Sequence, residues 1–202
     1  VRSAIKYYMI KKSVFEEKDL VMDLPPSIRT QLVRAAYEED IERIKFFRNK
    51  DWAYVCYAML SMKPESCPAN DTLLEQHDVS EEMIFLQKGT VHLITRGTDV
   101  EDAAEDLGFE GEMDIFAHGK QTPCLVGMVS EGGFFGDLEC RNKGPRMVSY
   151  ETVSVCHMFT LSRDVLESAN HIYATSGKQF EADCDRRMKT FEAAMASDFV
   201  ML

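Results

Sequence analysis

Between Leu60 and Thr72 the spacing of apolar residues changes period, and that change restricts the fold of the chain more than any other feature. Before it, Trp52, Val55, Cys56, Met59 and Leu60 recur at i, i+3, i+4, i+7 and i+8, the stripe of a helix that begins at Asp51. After it, Pro64, Pro68, Asn70 and Asp71 break the helix, and short apolar runs separated by turn residues take over. Met83–Leu86 and Val91–Thr95 flank Gln87-Lys88-Gly89 and read as a hairpin whose glycine is free to take a positive φ. Cys124–Val129, Met147–Val155 and Met158–Leu161 read as further strands. Helix returns near the end, where Phe180, Cys184, Met188, Phe191 and Met195 follow at steps of three and four. The expected class is α+β: an antiparallel, jelly-roll-like β-roll with an N-terminal helical linker and C-terminal helices, the last packed on the roll or closing it as a lid.

The N-terminal part is helical in composition from Val1 to about Lys12 and through Phe15–Leu20, until Pro25-Pro26 stops it. Ser27 is then a plausible N-cap, with Ile28, Leu32, Ala35 and Ala36 at helical spacing as far as about Glu38. The expected division is a helical linker over residues 1–45 and the β-roll domain over 46–202, with an acidic insertion at about 98–120. That insertion holds Asp99, Glu101, Asp102, Glu105, Asp106, Glu110, Glu112 and Asp114. Their spacing does not fit a D-x-[DN]-x-[DN]-G calcium loop, so a solvated segment is expected.

A chain of 202 residues, 45% hydrophobic, can bury one core of domain size. Its net charge of −11 repels phosphate backbones and anionic lipid, so no nucleic-acid partner is expected. No stretch approaches the roughly 18 apolar residues of a membrane span, and no signal peptide is evident at the N-terminus. Six scattered cysteines without CxxC spacing read as reduced and cytosolic. The five histidines lack metal spacing, and neither GxSxG nor a Walker lysine occurs, so no enzyme, catalytic residue, metal or cofactor is expected.

One segment carries chemistry. Gly132-Gly133-Phe134-Phe135-Gly136-Asp137-Leu138-Glu139 is followed by Gly144-Pro145-Arg146-Met147-Val148-Ser149. A glycine-rich turn that opens a short helix exposes backbone N–H groups, and Arg146 adds a permanent planar cation suited to phosphate oxygens. A carboxylate one residue after Gly136 can accept from a sugar hydroxyl. Together they would hold a cyclic nucleotide.

In order and gap length this segment resembles the phosphate-binding cassette of cyclic-nucleotide-binding domains, F-G-E…P-R-x-A-[ST]-V. The flanks extend the resemblance: Asp78–Gly89 is similar to the family's G-D-x-x-x-x-M-Y-F-I-x-x-G segment, and Cys156–Asp164 to its C-x-L-Y-x-L-S-x-D step. Phe15–Leu20, Leu24–Arg29 and Phe46–Asn49 resemble the linker between pore and nucleotide domain in hyperpolarisation-activated, cyclic-nucleotide-gated and ether-à-go-go-type channels.

The resemblance implies an eight-stranded roll, a short phosphate helix and a final helix that closes over the purine, its movement passed through the linker to a tetrameric gate. It implies that Arg146 pairs the cyclic phosphate, that Gly136 and Leu138 offer backbone N–H groups, and that Asp137 takes the ribose 2′-hydroxyl. Arg187 falls at a purine-contacting position on the lid, and Glu139, Met147 and Ser149 complete the predicted site. Asp137 replaces the family's glutamate, one methylene shorter. Glu139 stands where the family keeps a small residue, either turned outward or neutralised by Arg141 and Lys143. Met147 stands where cGMP-preferring members carry a threonine, so cAMP is expected over cGMP. The expected setting is the cytoplasmic side of an integral membrane protein. The partners are then its own membrane domain and further copies of the chain: a tetramer in a channel, a dimer in a voltage-sensing sodium/proton exchanger. A third alternative is a roll kept for assembly without ligand.

Overall fold

The computed structural model describes residues 21, 23–79, 81–95 and 124–198. The expected helix over Val1–Leu20, the acidic stretch and the side chain of Met195 lie outside these. Helix α1 spans Pro26–Arg43, and a 3-10 turn at Lys45–Phe47 leads to α2 at Trp52–Ser61. Strands β1 (Lys63–Cys67), β2 (Thr72–Leu74), β3 (Glu82–Lys88), β4 (Thr90–Thr95), β5 (Cys124–Ser130) and β6 (Phe134–Phe135) follow. Helix α3 (Asp137–Asn142), strands β7 (Ser149–Thr152) and β8 (Cys156–Ser162), then α4 (Arg163–Ile172) and α5 (Ala174–Asp198) complete the order.

The eight strands form two antiparallel four-stranded sheets, ordered β1-β8-β3-β6 and β2-β7-β4-β5. The expected α+β roll is thus observed. The β3–β4 hairpin is not: β3 pairs with β8 and β6, whereas β4 pairs with β5 and β7. Gly89 does reverse the chain at φ +107, but it carries the backbone from one sheet to the other. A side chain there would run into Cys156 Sγ and the Val155 carbonyl, so the crossing requires glycine.

Strand β3 explains why its apolar run does not alternate. Met83 and Phe85 face the helices, alongside Phe159, Leu161 and Leu166. Ile84 and Leu86 face the interior of the roll with Val91, Phe135, Val148, Tyr150 and Met158. A strand covered on both faces is apolar at every position.

Helix α1 corrects two expectations. Pro25 occupies its N-cap position with no side-chain cap, Pro26 supplies the preset φ of the first turn, and Ser27 lies inside the helix. Its buried stripe is Val33, Tyr37 and Ile41; Ile28, Leu32, Ala35 and Ala36 are exposed. Tyr37 meets Phe159 edge to face at 6.3 Å, which seats α1 on the roll. Helix α5 buries Phe180 and Cys184 and half-buries Met188 and Phe191, as its stripe predicts. No described helix is long and apolar enough to cross a membrane, and Cys56, Cys67, Cys140, Cys156 and Cys184 are free thiols.

Candidate functional site

The site lies where β6, α3 and the segment before β7 meet helix α5. Gly136 takes φ +83, and a Cβ there would sit 2.6 Å from the Glu82 carbonyl oxygen and 3.5 Å from Arg146 Nη1. A bare backbone therefore permits both the turn into α3 and the approach of the guanidinium. Arg146 is held by its own main chain: its N–H donates to Asp78 O (2.8 Å) and its carbonyl accepts from His77 N–H (2.9 Å). The side chain is 3% exposed, and among the described residues Nη1 has no hydrogen-bond partner. Burying a guanidinium with a donor unused is costly, which sets Nη1 apart as the atom of this site with the most to gain from an added acceptor.

The carboxylates are arranged differently. Asp137 is 2% exposed, and both its oxygens are engaged by α5: Oδ1 lies 2.8 Å from Arg187 Nη1, and Oδ2 accepts from Cys184 Sγ at 3.8 Å. Burial pushes the Asp137 carboxyl up to about 6; the Arg187 guanidinium opposes that shift, and Glu139 adds to it. Burial and the Asp137 charge likewise raise the Cys184 thiol, which stays a neutral donor.

Glu139 points inward, 3% exposed, with Oε1 accepting from Tyr150 O–H at 3.3 Å. Neither of the sequence-based accounts of Glu139 holds. Arg141 instead reaches Glu181 (2.6 Å) and Asp185 (2.7 Å) on α5, and Lys143 reaches Glu167 on α4 (2.9 Å). Tyr150 stacks on Phe135 with ring centroids 4.5 Å apart, and burial followed by the Glu139 charge raises its phenol well above the ordinary value.

Arg187 does lie on the last helix against the cassette. Nη2 donates to Phe134 O (3.2 Å), and the guanidinium carbon rests 4.3 Å from the Phe134 ring centroid. A cavity of about 270 Å³ opens beside it, lined by Lys45, Met128, Val129, Ser130, Gly133, Phe134 and Arg187. Leu138 and Met147 pack into the core between roll and helices. Ser149 Oγ accepts from Gln76 N–H at 3.0 Å and so pins the entry to β7. Gly136, Asp137 and Arg146 are thus brought together with Arg187, while the side chains of Leu138 and Ser149 are taken up by the core and by the main chain of Gln76. Sequence reasoning missed Tyr150, Cys184 and Phe134: each is bound to a site residue far away in the chain or through its main chain, and no local pattern marks them. Among the described residues no cluster of metal-ligating side chains occurs.

No protein-family model matches the chain. It is 21% identical over 168 residues to the potassium/sodium hyperpolarization-activated cyclic nucleotide-gated channel 2 of Mus musculus, covering 83% of this chain and 16% of that one. The corresponding channel 4 of Oryctolagus cuniculus is 19% identical over the same length, covering 83% of this chain and 12% of the channel. The chain therefore spans less than a fifth of the relatives it matches. Among solved structures, the catabolite activator protein of Thermus thermophilus aligns with a TM-score of 0.57 at 16% identity, over 77% of this chain and 62% of that one. The N-terminal domain of a Streptomyces coelicolor transcriptional regulator aligns with a TM-score of 0.55 at 16% identity, over 77% and 94%. The resemblance read from the cassette and its flanks is borne out as a distant relationship to these channels, and the roll is the fold shared with the two regulators.

Proposed function

We propose that this chain is a regulatory module that binds a cyclic nucleotide, cAMP in preference to cGMP, and couples the position of α5 through the linker helix to the gate of a voltage-sensing cation channel. The observation that carries this reading is Arg146: a guanidinium 97% buried, clamped by its main chain, with Nη1 unpartnered beside Gly136. A phosphate oxygen is the acceptor that its planar fork suits. The relationship to cyclic nucleotide-gated channels supports the ligand class, and the contact of Tyr37 with Phe159 supports a mechanical path from roll to linker. Met147 packs against the core and offers no hydroxyl to a guanine, in keeping with cAMP.

Ligand shifts such a module only by its differential affinity for two positions of the lid. The engagement of Asp137 by Arg187 favours one second reading, a roll retained for assembly without nucleotide. Calorimetric titration of the chain with cAMP and cGMP, beside Arg146→Glu and the milder Arg146→Lys, separates the two. Binding of cAMP that Arg146→Lys weakens at least tenfold and Arg146→Glu abolishes supports the sensor. Silence from both nucleotides at millimolar concentration removes it and leaves the fold standing.

A further inference from the structure

We infer that Arg187 is the resident partner of the cassette carboxylate, an internal ligand that fastens α5 to α3 without nucleotide, so that any bound cyclic nucleotide is read through its phosphate and not through its ribose 2′-hydroxyl. The inference rests on the function proposed above and specifies how that site chooses its ligand.

The geometry leaves the carboxylate no idle oxygen facing the helix. Asp137 Oδ1 is 2.8 Å from Arg187 Nη1, and Oδ2 takes the Cys184 thiol. The second arm of the guanidinium is tied to Phe134 O, and its plane rests on the Phe134 ring. Aspartate, one methylene shorter than glutamate, keeps its carboxylate close to α3 and so within reach of α5. An incoming sugar hydroxyl offers one neutral donor in exchange for a charged donor, and charge-assisted hydrogen bonds are about twice as strong as neutral ones. Displacing Arg187 would also leave Asp137, 2% exposed, without its counter-ion. The other carboxylate of the cassette is no substitute, since Glu139 accepts from Tyr150 inside the core. Arg187 Nη1 has the Asp137 carboxylate beside it, whereas Arg146 Nη1 has no hydrogen-bond partner among the described residues.

The test has two arms on the same chain. In the absence of nucleotide, thermal melts at pH 7.5 compare Arg187→Gln, Asp137→Asn and the double variant. Arg187→Gln is expected to lower Tm by about 3–8 °C in the parent and by about half that or less when Asp137→Asn is already present, the remainder being its contacts with Phe134. Calorimetry then compares cAMP with 2′-deoxy-cAMP. The two are expected to bind the parent within about threefold, and the Arg187→Gln variant, whose Asp137 is free for the sugar, with a preference for cAMP of about tenfold or more. Equal Tm losses from Arg187→Gln in both backgrounds overturn the fastening. A preference for cAMP of tenfold or more in the parent overturns the ribose-independent reading while leaving nucleotide binding intact. Absence of heat from either nucleotide overturns the proposed function instead, and the melts alone then decide whether Arg187 holds Asp137.

Discussion

The cassette ends in two buried charges completed in opposite ways. Arg146 is enclosed, held by its own backbone and left with an unsatisfied donor, whereas Asp137 is enclosed and satisfied by side chains of α5. Buried ions are stable when paired, so the two ends of the site differ in how far the chain's own side chains complete them. One end of the site is a guanidinium donor without a partner among the described residues; the other is a contact already made within the chain.

The strongest challenge to that contrast falls on the open end. Arg146→Lys keeps the charge but loses the planar fork, and cAMP affinity is expected to fall by tenfold to a hundredfold with little change in Tm, measured by calorimetry and melting together. Unchanged affinity would mean that the guanidinium is structural. Next in size is the support beneath the cassette. Tyr150→Phe removes the donor to a buried Glu139 and should cost about 1–3 kcal/mol, seen as a Tm lower by several degrees.

The closed end can be probed by pH. The folded-state value for Asp137, about 6, lies above the ordinary 3.8, so the folded chain binds the extra proton more readily than the unfolded one. The stability this confers is full below about 3.8 and is lost as pH rises through about 6. The groups acting on Asp137 are Arg187 and Cys184 from α5 and Glu139 from α3; Asp137 in turn acts on Tyr150 of β7. Asp137→Asn, which cannot titrate, should therefore gain stability relative to the parent between pH 4.5 and 7.5, as melts at the two values will read. A difference that stays constant or reverses would place the titrating charge elsewhere. The smallest effect belongs to the outer seam, where Arg141 joins Glu181 and Asp185 in solvent. Arg141→Ala should cost about 0.2–1 kcal/mol at low salt and still less at 0.5 M, because exposed pairs are screened.

How far the sequence foretold these features depends on how local each signal is. Arg146 and Gly136 were legible because a turn, a proline and a cation at fixed spacing all sit within one short segment. The state of Asp137 was not, because its partner is 50 residues away on a helix whose stripe announces only what packs, not what pairs. The eight-stranded roll was foreseen through the resemblance, yet β1 escaped the reading of strands because Pro64 reads as a breaker. That strand lies at the edge of its sheet, where a missing N–H is tolerated. Two-residue β6 is too short to show a period. In α1 the buried residues recur only every fourth position, and exposed Ile28 and Leu32 formed a brighter false stripe. Gly89 announced a reversal truthfully, but a turn signal does not say which sheet the chain enters next.

The junction between α4 and α5 sets how Arg187 can move. A side chain at Gly177 would overlap the Asn170 carbonyl, so the two helices touch there backbone to backbone. The same corner is tied to the front of α2: Tyr54 O–H donates to Asn170 Oδ1 (3.1 Å), and Asp51 N–H donates to Ser176 Oγ (3.3 Å). Ten residues of helix between Gly177 and Arg187 make an arm of about 15 Å, so a swing of about 10° carries the guanidinium roughly 2.6 Å, nearly the full length of its contact with Asp137. Were α5 to turn at that corner, a small angle would suffice to part Arg187 from Asp137, and the corner itself is held to the front of α2.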